Sequence, residues 1–365
     1  MAWLDTLLKL VVEKGASDLH VSSQSKPMIR LHGDMIPIEG QAEIPADVMK
    51  KYLQEITPPG NWSEFESLHD SDFAYQIEGC GRFRGNIFLD DRGPGGVFRA
   101  IPTKIPTMEQ LSLGKVFHEI CAMKKGFVLV TGPTGSGKST TLAAMIDHIN
   151  NTRHDHIITI EDPIEFVYPN KNCLINQRQV HKHTDSFKKA LRAALREDPD
   201  IVLVGEMRDL ETIEIALETA ETGHLVFGTL HTNTAPSAVD RIIDQFPSGQ
   251  QNQIRTMLAA SLKAVIAQTL CKKLPVGRVA ALEVLLVNSA VAANIRDSKT
   301  HQLISAMQVG QALGMRLLND SLMELVKNKV VDPMEAYLNS ADKKDLFGRL
   351  KEAGFPIDIS KLPGS

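Results

Sequence analysis

The stretch "VLVTGPTGSGKSTTLAAMI" (residues 128–146) runs from an apolar segment through a glycine-rich loop into an alanine-rich segment. Within it, "GPTGSGKS" at 132–139 fits the pattern G-x-x-x-x-G-K-[ST] at every fixed position. The flanking residues predict a buried strand before the loop and a helix after it, which is the context this motif requires. Backbone N–H groups of such a loop, together with the positive end of the helix dipole, hold an anion. The stretch therefore predicts a phosphate-binding loop inside an α/β domain.

The motif also predicts which residues contact the ligand. We expect Lys138 to place its charge on the terminal phosphates of a nucleoside triphosphate and Ser139 to offer its hydroxyl to Mg²⁺. A glycine-rich turn with an incidental lysine is the alternative, and the complete pattern with its flanking elements argues against it. The predicted binding residues are Gly132, Pro133, Thr134, Gly135, Ser136, Gly137, Lys138, Ser139 and Thr140.

Composition limits the class of protein. The chain has 365 residues, 43% of them hydrophobic and 23% charged, with a formal net charge of −4. This is the composition of a globular protein, and it does not favour a nucleic-acid-binding or membrane-binding surface over the whole molecule. The four cysteines form no CxxC pair, so neither disulfides nor a cysteine zinc site are predicted.

The N-terminal stretch predicts an amphipathic helix and not a secretory signal. Leucines and valines at 4, 7, 8, 11 and 12 share one helical face that ends at Gly15, and Asp5 and Lys9 interrupt the apolar run. No apolar run approaches the ~18 residues that a membrane span requires. We therefore expect a cytoplasmic protein without direct membrane insertion.

The order of predicted elements indicates two kinds of domain. Residues 1–98 read as a small α+β domain, in which "GRFRGNIFL" alternates as a half-buried strand. Two prolines in 99–113 predict an interdomain linker. From 114 to 290, short apolar strands alternate with helices, which predicts a parallel sheet buried on both faces. From about 250 onward the chain reads as mainly helical, apart from a strand at 278–287, and 291–365 is predicted as a C-terminal helical region.

Acidic residues and a histidine follow three of the predicted strands, at the sheet edge where an α/β ligand binds. Glu161, Asp162 and Glu165 follow the first, Gly205-Glu206 the second, and His231 the third, which His224 precedes. "DIVLVGE" reads as a Walker B strand with glycine in place of its usual aspartate. Glu206 is thus left to orient or deprotonate a water, and metal coordination must come from elsewhere or through water. Helix capping and ordinary loop hydrogen bonding remain alternative roles for these side chains.

Four segments in fixed order carry a family resemblance. "GPTGSGKSTTLAAM", "IITIEDPIEF", "LREDPDIVLVGEMRDLETI" and "AETGHLVFGTLHTN" resemble the Walker A, Asp-box, Walker B and His-box motifs of the secretion and traffic ATPases, and most closely those of the type IV pilus retraction ATPases. The resemblance extends to "KGASDLHVS" and "GRFRGNIF" near the N-terminus.

This resemblance implies a RecA-like ATPase core with a PAS-like N-terminal domain, assembled as a homohexamer that hydrolyses ATP with Mg²⁺ at subunit boundaries. It assigns catalytic roles to Glu165, Glu206 and His231, and phosphate-contacting roles to Arg82, Arg84 and Arg99. Ser139, Glu161 and Asp162 are the predicted metal ligands, partly through water. The implied partners are an inner-membrane pilus platform protein and a paralogous pilus ATPase, at the inner face of the bacterial cytoplasmic membrane, with no nucleic acid.

The resemblance favours twitching-motility retraction over assembly, because the chain lacks both a tetracysteine insertion and a long additional N-terminal domain. Its "AVAANIRDSK" (290–299) matches the retraction signature only approximately, and the tail after 330 resembles that of the accessory retraction paralogue. An accessory motor, an assembly or secretion ATPase, a nucleic-acid-driven RecA-like motor and a non-hydrolysing subunit are the alternatives.

Overall fold

The structure, a computed structural model, describes residues 2–31, 33–101 and 104–358. It divides the chain into two compact units, Met1–Lys104 (unit 1) and Ile105–Ser365 (unit 2). Among the helices described, none combines the length and the apolar character needed to cross a bilayer.

Unit 1 is an antiparallel sheet with helices. The described elements of unit 1 are α1 (Trp3–Lys14), β1 (Asp18–Ser22), β2 (Met28–Leu31), β3 (Asp34–Pro37), α2 (Ala46–Ile56), α3 (Pro59–Leu68), β4 (Asp70–Ile77), β5 (Gly81–Asp90) and β6 (Gly93–Ile101). The strands lie in the order β3-β2-β1-β6-β5-β4, and each adjacent pair is antiparallel. The strand expected in "GRFRGNIFL" is present as β5, whereas α2, α3 and β4 were not predicted.

The N-terminal helix α1 buries the predicted stripe against the sheet of unit 1, except at its last position. Leu4, Leu8 and Val11 are fully buried, but Val12 is 41% exposed. Gly15 ends the helix in a left-handed conformation (φ +65°), and its N–H donates to the carbonyls of the last turn. The amphipathic-helix prediction is therefore confirmed.

Unit 2 is a seven-stranded sheet with helices on both faces. The described helices and strands of unit 2 are α4 (Lys115–Cys121), β7 (Gly126–Thr131), α5 (Lys138–Thr152), β8 (His156–Glu161), β9 (Leu174–Gln179), α6 (Phe187–Ala194), β10 (Ile201–Val204), α7 (Leu210–Glu221), β11 (Leu225–Leu230), α8 (Ala235–Asp244), α9 (Gln251–Ser261), β12 (Leu262–Lys272), β13 (Arg278–Leu286), α10 (Ser289–Arg296), α11 (Leu303–Val309), α12 (Leu318–Lys327), α13 (Pro333–Asn339) and α14 (Lys343–Glu352). Short 3₁₀ turns at Thr300–Gln302 and Gly310–Leu313 flank α11.

The strand order of this sheet is β13-β12-β7-β11-β10-β8-β9, and all neighbours are parallel except the β12–β13 pair. Strands β7, β10 and β11 are buried at every position, as a sheet covered on both faces requires. The predicted α/β class is confirmed. Because parallel strands share one carboxyl edge, the loops after β7, β8, β10 and β11 meet at that edge.

The prediction of helix through residues 250–270 is wrong in its second half. Helix α9 ends at Ser261, and Leu262–Lys272 forms β12, which lies between β7 and β13. Residues of β12 such as Val265 and Ile266 are fully buried, so apolar side chains occur on both faces. When nearly all residues of a short segment are apolar, the sequence has no periodicity that distinguishes a strand from a buried helix.

The predicted 99–113 linker begins within a strand of unit 1 and ends in residues that pack in the core of unit 2. Residues 99–101 belong to β6, and Met108 and Leu113 are buried in the core of unit 2. Residues 102 and 103 of the predicted linker lie outside the described residues. Similarly, Val291 and Ile295 of the predicted C-terminal region pack in the same core cluster as the central strands.

Candidate nucleotide-binding site

The P-loop, defined as residues 132–139, connects the carboxyl end of β7 to the first turn of α5. Gly132 (φ +143°) and Gly137 (φ +89°) adopt backbone conformations that side chains disfavour. A Cβ atom on Gly132 would also lie 2.2 Å from the carbonyl oxygen of Gln268. Both glycines are therefore required by the backbone turn that leads from the loop into α5.

Lys138 folds back across the P-loop. Its Nζ donates to the carbonyl oxygens of Gly132 at 2.7 Å and Pro133 at 3.1 Å. Burial lowers the pKa of this amine, and the charges of Glu206 and Glu165 act in the opposite direction. The structure thus places Lys138 close enough to Glu206 and Glu165 for their charges to act on its amine, and all three residues were predicted from sequence.

Glu206 lies two residues beyond the last residue of β10 and is held by two cationic or ionisable partners. Arg208 contacts both of its oxygens, with Nε 2.6 Å from Oε1 and a terminal guanidinium nitrogen 2.7 Å from Oε2. The Nε2 atom of His231 lies 2.7 Å from the same Oε1. The hydrogen bond from Arg208 lowers the pKa of this carboxyl most, and the bond to His231 adds to it against the opposing effect of burial. Glu206 is thus an oriented carboxylate, ionised at neutral pH.

The position of Glu161 explains why residue 205 is a glycine and not the aspartate that is usual in a Walker B motif. A Cβ atom on Gly205 would lie 3.0 Å from the carbonyl oxygen of Ile160 and 3.6 Å from Cγ of Glu161. The carboxylate of Glu161, on the neighbouring strand β8, accepts hydrogen bonds from Thr159 Oγ1 at 2.6 Å and Gln177 Nε2 at 3.1 Å. Burial raises the pKa of this carboxyl. Atoms of β8 therefore occupy the space that a side chain at position 205 would need.

The remaining predicted metal ligands are dispersed. Ser139 lies in the first turn of α5 and is half-buried, whereas Asp162 is exposed in the loop after β8, as is Glu165, which was predicted to be catalytic and not a metal ligand. Within residues 2–31, 33–101 and 104–358, no group of three or more His, Cys, Asp and Glu side chains is arranged to hold a metal ion. A protein-only metal cage is therefore not part of the described structure.

The two His-box histidines lie at opposite ends of β11. His231 follows the strand at the P-loop edge, where it contacts Glu206. His224 precedes the strand, and its ring hydrogen-bonds to the carbonyl oxygen of Thr219 at 3.0 Å. The two positions have different surroundings, so only His231 joins the site.

Arg82, Arg84 and Arg99 belong to unit 1. Arg84 of β5 is directly opposite Arg99 of β6 in the strand register, and Arg82 lies on the same face two residues earlier. Arg99 donates through Nε to Oδ1 of Asp18 at 2.8 Å, whereas Arg84 lies 3.8 Å from Asp72. The three arginines therefore form a cationic strip on the sheet face opposite the buried Phe83 and Phe98.

Sequence reasoning missed two residues of the site. Arg208 is only two positions after Glu206, and a cation so near the predicted catalytic carboxylate could have indicated that it belongs to the site. Gln268 in β12 donates through Nε2 to the carbonyl oxygen of Ser136 in the P-loop at 2.6 Å. An isolated polar residue in the apolar run "AVIAQTLC" was the corresponding signal.

A P-loop between a parallel strand and a helix, with an oriented glutamate at the same carboxyl edge of the sheet, defines the class of P-loop nucleoside triphosphatases. A profile of the family described as "Type II/IV secretion system protein" matches residues 107–277. The chain is 50% identical over 325 residues to the type IV pilus retractation ATPase PilT of Pseudomonas aeruginosa, covering 89% of this chain and 94% of that protein.

Two further comparisons agree with this result. The chain is 50% identical over 311 residues to the twitching motility protein of Neisseria gonorrhoeae, covering 85% of this chain and 83% of that protein. The crystal structure of the pilus retraction motor PilT with bound ADP has a TM-score of 0.88 at 43% identity, covering 94% of this chain and 98% of that chain. The chain belongs to the type II/IV secretion system protein family.

Proposed function

We propose that the chain is a motor ATPase that powers the retraction of type IV pili and hence twitching motility. The observation that carries this proposal is the complete P-loop with Glu206 oriented at the same carboxyl edge of the sheet, in a chain half identical to PilT over most of its length. The PilT structure named above contains ADP, which supports an adenine nucleotide as the ligand of the P-loop here.

Each residue has a defined chemical task in this proposal. The P-loop amides and the start of α5 bind the phosphates, and Lys138 exchanges its carbonyl partners for terminal phosphate oxygens. Glu206 orients the attacking water and accepts its proton, because its carboxylate is ionised and held at the strand end. Glu165 adds a second carboxylate near Lys138, and His231 fixes Oε1 of Glu206.

The donor set of the site suits Mg²⁺ bound together with a triphosphate. Mg²⁺ usually takes one or two protein oxygens and fills its other positions with phosphate and water, so a cluster of three carboxylates is not needed. Ser139 would hold the ion directly, and Asp162 and the carboxylate of Glu161 would act through water. When bound, Mg²⁺ neutralises charge that develops on the phosphate oxygens.

The proposed assembly is a homohexamer at the cytoplasmic face of the inner membrane. In it, Arg82, Arg84 and Arg99 approach the nucleotide of a neighbouring subunit, where guanidinium groups stabilise negative charge on the phosphates. Reorientation of the two units during the ATP cycle would act on a membrane-embedded pilus platform protein and release pilin subunits from the pilus base. A paralogous pilus ATPase is a further proposed partner.

Two variants of the purified chain test the enzymatic part. Lys138→Ala should lose nucleotide binding by at least about 100-fold, since it removes the charge facing the phosphates. Glu206→Gln should bind with near wild-type affinity and lose kcat by roughly 10²–10⁴-fold, since the isosteric amide cannot accept the proton. Fluorescence titration with an N-methylanthraniloyl nucleotide and steady-state turnover measure the two quantities. Equal loss of binding in both variants would contradict the assigned roles.

Deletion of the gene tests the direction of the motor. Cells that lack a retraction motor should accumulate surface pili and lose twitching motility, whereas cells that lack an assembly ATPase should have no pili. Electron microscopy of surface pili separates the two, and complementation with Glu206→Gln asks whether hydrolysis is required. Bald cells would overturn the retraction proposal and favour an assembly motor.

A further inference from the structure

Strand β12 contains a buried amide in otherwise apolar surroundings. Gln268 is only 2% exposed and follows four buried apolar residues, 264–267. A buried polar side chain is costly unless its atoms are hydrogen-bonded. Its Nε2 is satisfied, but Oε1 is buried with no partner among the described residues. Packing alone would favour an apolar residue here, so the amide needs another explanation.

The explanation lies in its contacts with the P-loop. Gln268 Nε2 donates to the carbonyl oxygen of Ser136 at 2.6 Å, and a Cβ on Gly137 would lie 3.1 Å from the same nitrogen. The carbonyl oxygen of Gln268 closely approaches Gly132 at the other end of the loop. The residue therefore contacts the P-loop at both ends, although 132 positions separate Gln268 from Ser136 in the sequence.

The same strand also contacts the C-terminal helix α13. Thr269 Oγ1 donates to Oδ1 of Asn339 at 3.1 Å, and the backbone N–H of Lys272 donates to Glu335 Oε1 at 2.9 Å. Successive side chains of a strand point to opposite faces, so Gln268 and Thr269 reach the P-loop and α13 from opposite faces of one rigid strand. Strand β12 is thus in direct contact with both the P-loop and α13.

We propose that Gln268 is a positioning residue for the P-loop and that helix α13 tunes nucleotide affinity through strand β12. This inference rests on the proposed binding of nucleotide by the P-loop, and it gives the chain beyond residue 330 a role in that binding. A chain of packed and hydrogen-bonded groups with a rigid element between them is the physical route for such coupling.

The first experiment removes the amide at nearly constant volume. The Kd of the full chain for N-methylanthraniloyl ADP with Mg²⁺ is measured for wild type and Gln268→Met. We expect roughly three- to tenfold weaker binding, the effect of one buried hydrogen bond, and a KM for ATP that rises by a larger factor than kcat falls. If Gln268→Met does not fold, Gln268→Asn shortens the side chain by one methylene and breaks the same bond.

A matched control separates positioning from general destabilisation. Thr219 in α7 makes a buried bond of the same kind, donating through Oγ1 to the carbonyl oxygen of Ile215 at 2.6 Å. Thr219→Val should leave the Kd unchanged. A Kd for Gln268→Met equal to that of wild type, or equal weakening by Thr219→Val, overturns the positioning role. Wild-type protein that binds no nucleotide would contradict the proposed function as well, so the two failures differ.

The second experiment tests the link to α13. Asn339→Ala should weaken nucleotide binding about two- to fourfold in the wild-type chain and have no further effect in the Gln268→Met background, because coupled residues are non-additive. Leu338→Ala, at an exposed position of the same helix, is the control and should not change the Kd. Additive effects of the two substitutions, or no effect of Asn339→Ala, would overturn the role of α13.

Discussion

Glu206 accepts hydrogen bonds from Arg208 and His231, and both bonds lower the pKa of its carboxyl group. A general base with a lowered pKa remains ionised as the pH falls, but it is also a weaker proton acceptor. If Glu206 has the proposed role of general base, its surroundings set the pH at which activity is lost on the acid side.

Arg208→Gln is expected to move that limit upward. The substitution removes the largest cause of the lowered pKa, while the opposing effect of burial remains, so the pKa of Glu206 rises. The acid limb of the kcat/KM profile, which reports the free enzyme, should then shift to higher pH. Arg178→Gln, which breaks an ion pair with Glu197 elsewhere in unit 2, is the control. An acid limb that does not move in Arg208→Gln would show that Glu206 is not the titrating base.

Gly205 is expected to tolerate no side chain. Its own N–H donates to the carbonyl oxygen of Ile160 at 2.7 Å, and that same oxygen lies 3.0 Å from an added Cβ. Gly205→Ala should therefore lower the free energy of unfolding by about 1–3 kcal/mol through overpacking. Gly348→Ala, in helix α14 with open space around the added Cβ, should instead stabilise by about 0.5–1 kcal/mol. Thermal unfolding of both variants measures the difference, and equal effects would contradict the steric explanation.

At the residue scale, the sequence predicts the chemistry of the site better than its geometry. Lys138, Glu206 and His231 were predicted because strand ends and a fixed motif place them at one edge of the sheet. The hydrogen bonds of Glu161 and the amide of Gln268 depend on which strand lies beside which, and no local pattern encodes that. The distinction between His224 and His231, in contrast, was visible in the sequence, because His224 precedes the predicted strand and His231 follows it.

At the scale of secondary-structure elements, Glu283 of β13 connects two helices. Its carboxylate accepts from the N–H of Ala235 at 2.6 Å and from that of Leu318 at 3.3 Å, the first residues of α8 and α12. Helix N-termini leave amides unpaired, so one buried carboxylate caps both. Burial raises the pKa of this group.

This raised pKa gives a signed prediction. The native state holds the proton of Glu283 more tightly than the unfolded state, so its contribution to stability is greatest at low pH and is lost as the pH rises through the raised pKa. Glu283→Gln stays neutral and keeps an acceptor. The free energy of unfolding of this variant relative to wild type should therefore increase between the ordinary glutamate pKa and neutral pH.

Glu283→Ala is the complementary variant. It leaves two helix-terminal amides without their acceptor and should destabilise by roughly 1–3 kcal/mol at every pH. Glu218→Gln, on the exposed face of α7, controls for the loss of one negative charge. Unfolding by urea at several pH values gives these differences, and a pH-independent difference for Glu283→Gln would refute the titration.

Element prediction succeeded where the apolar period was clear and failed where it was not. The stripe of α1 and the alternation of β5 each have a defined period and a polar face. Strand β12 is apolar on both faces because β7 and β13 flank it and helices cover it, and this environment is a property of the sheet, not of the segment. The helices of the C-terminal region were predicted, but their packing into the core of unit 2 was not.

At the scale of the whole molecule, the arginines of unit 1 differ in how firmly they are held. The Asp18 side chain is 5% exposed and pairs with Arg99, so removing Arg99 would leave a buried carboxylate without its cation. Among the described residues, Arg84 makes a single ion pair, a long one at 3.8 Å with the exposed Asp72. Arg84 is therefore the suitable residue with which to ask whether unit 1 acts on the nucleotide of another subunit.

Mixing two inactive variants answers that question. Arg84→Ala retains its P-loop, and Lys138→Ala retains its arginines, so each alone should hydrolyse ATP poorly. In a head-to-tail ring formed by random exchange, about a quarter of the interfaces would join an intact P-loop to an intact Arg84, and activity should return in the mixture. The Arg84→Ala/Lys138→Ala double variant mixed with Arg84→Ala is the control and should restore nothing. Activity of the first mixture equal to the mean of its components would mean that Arg84 does not act across a subunit boundary.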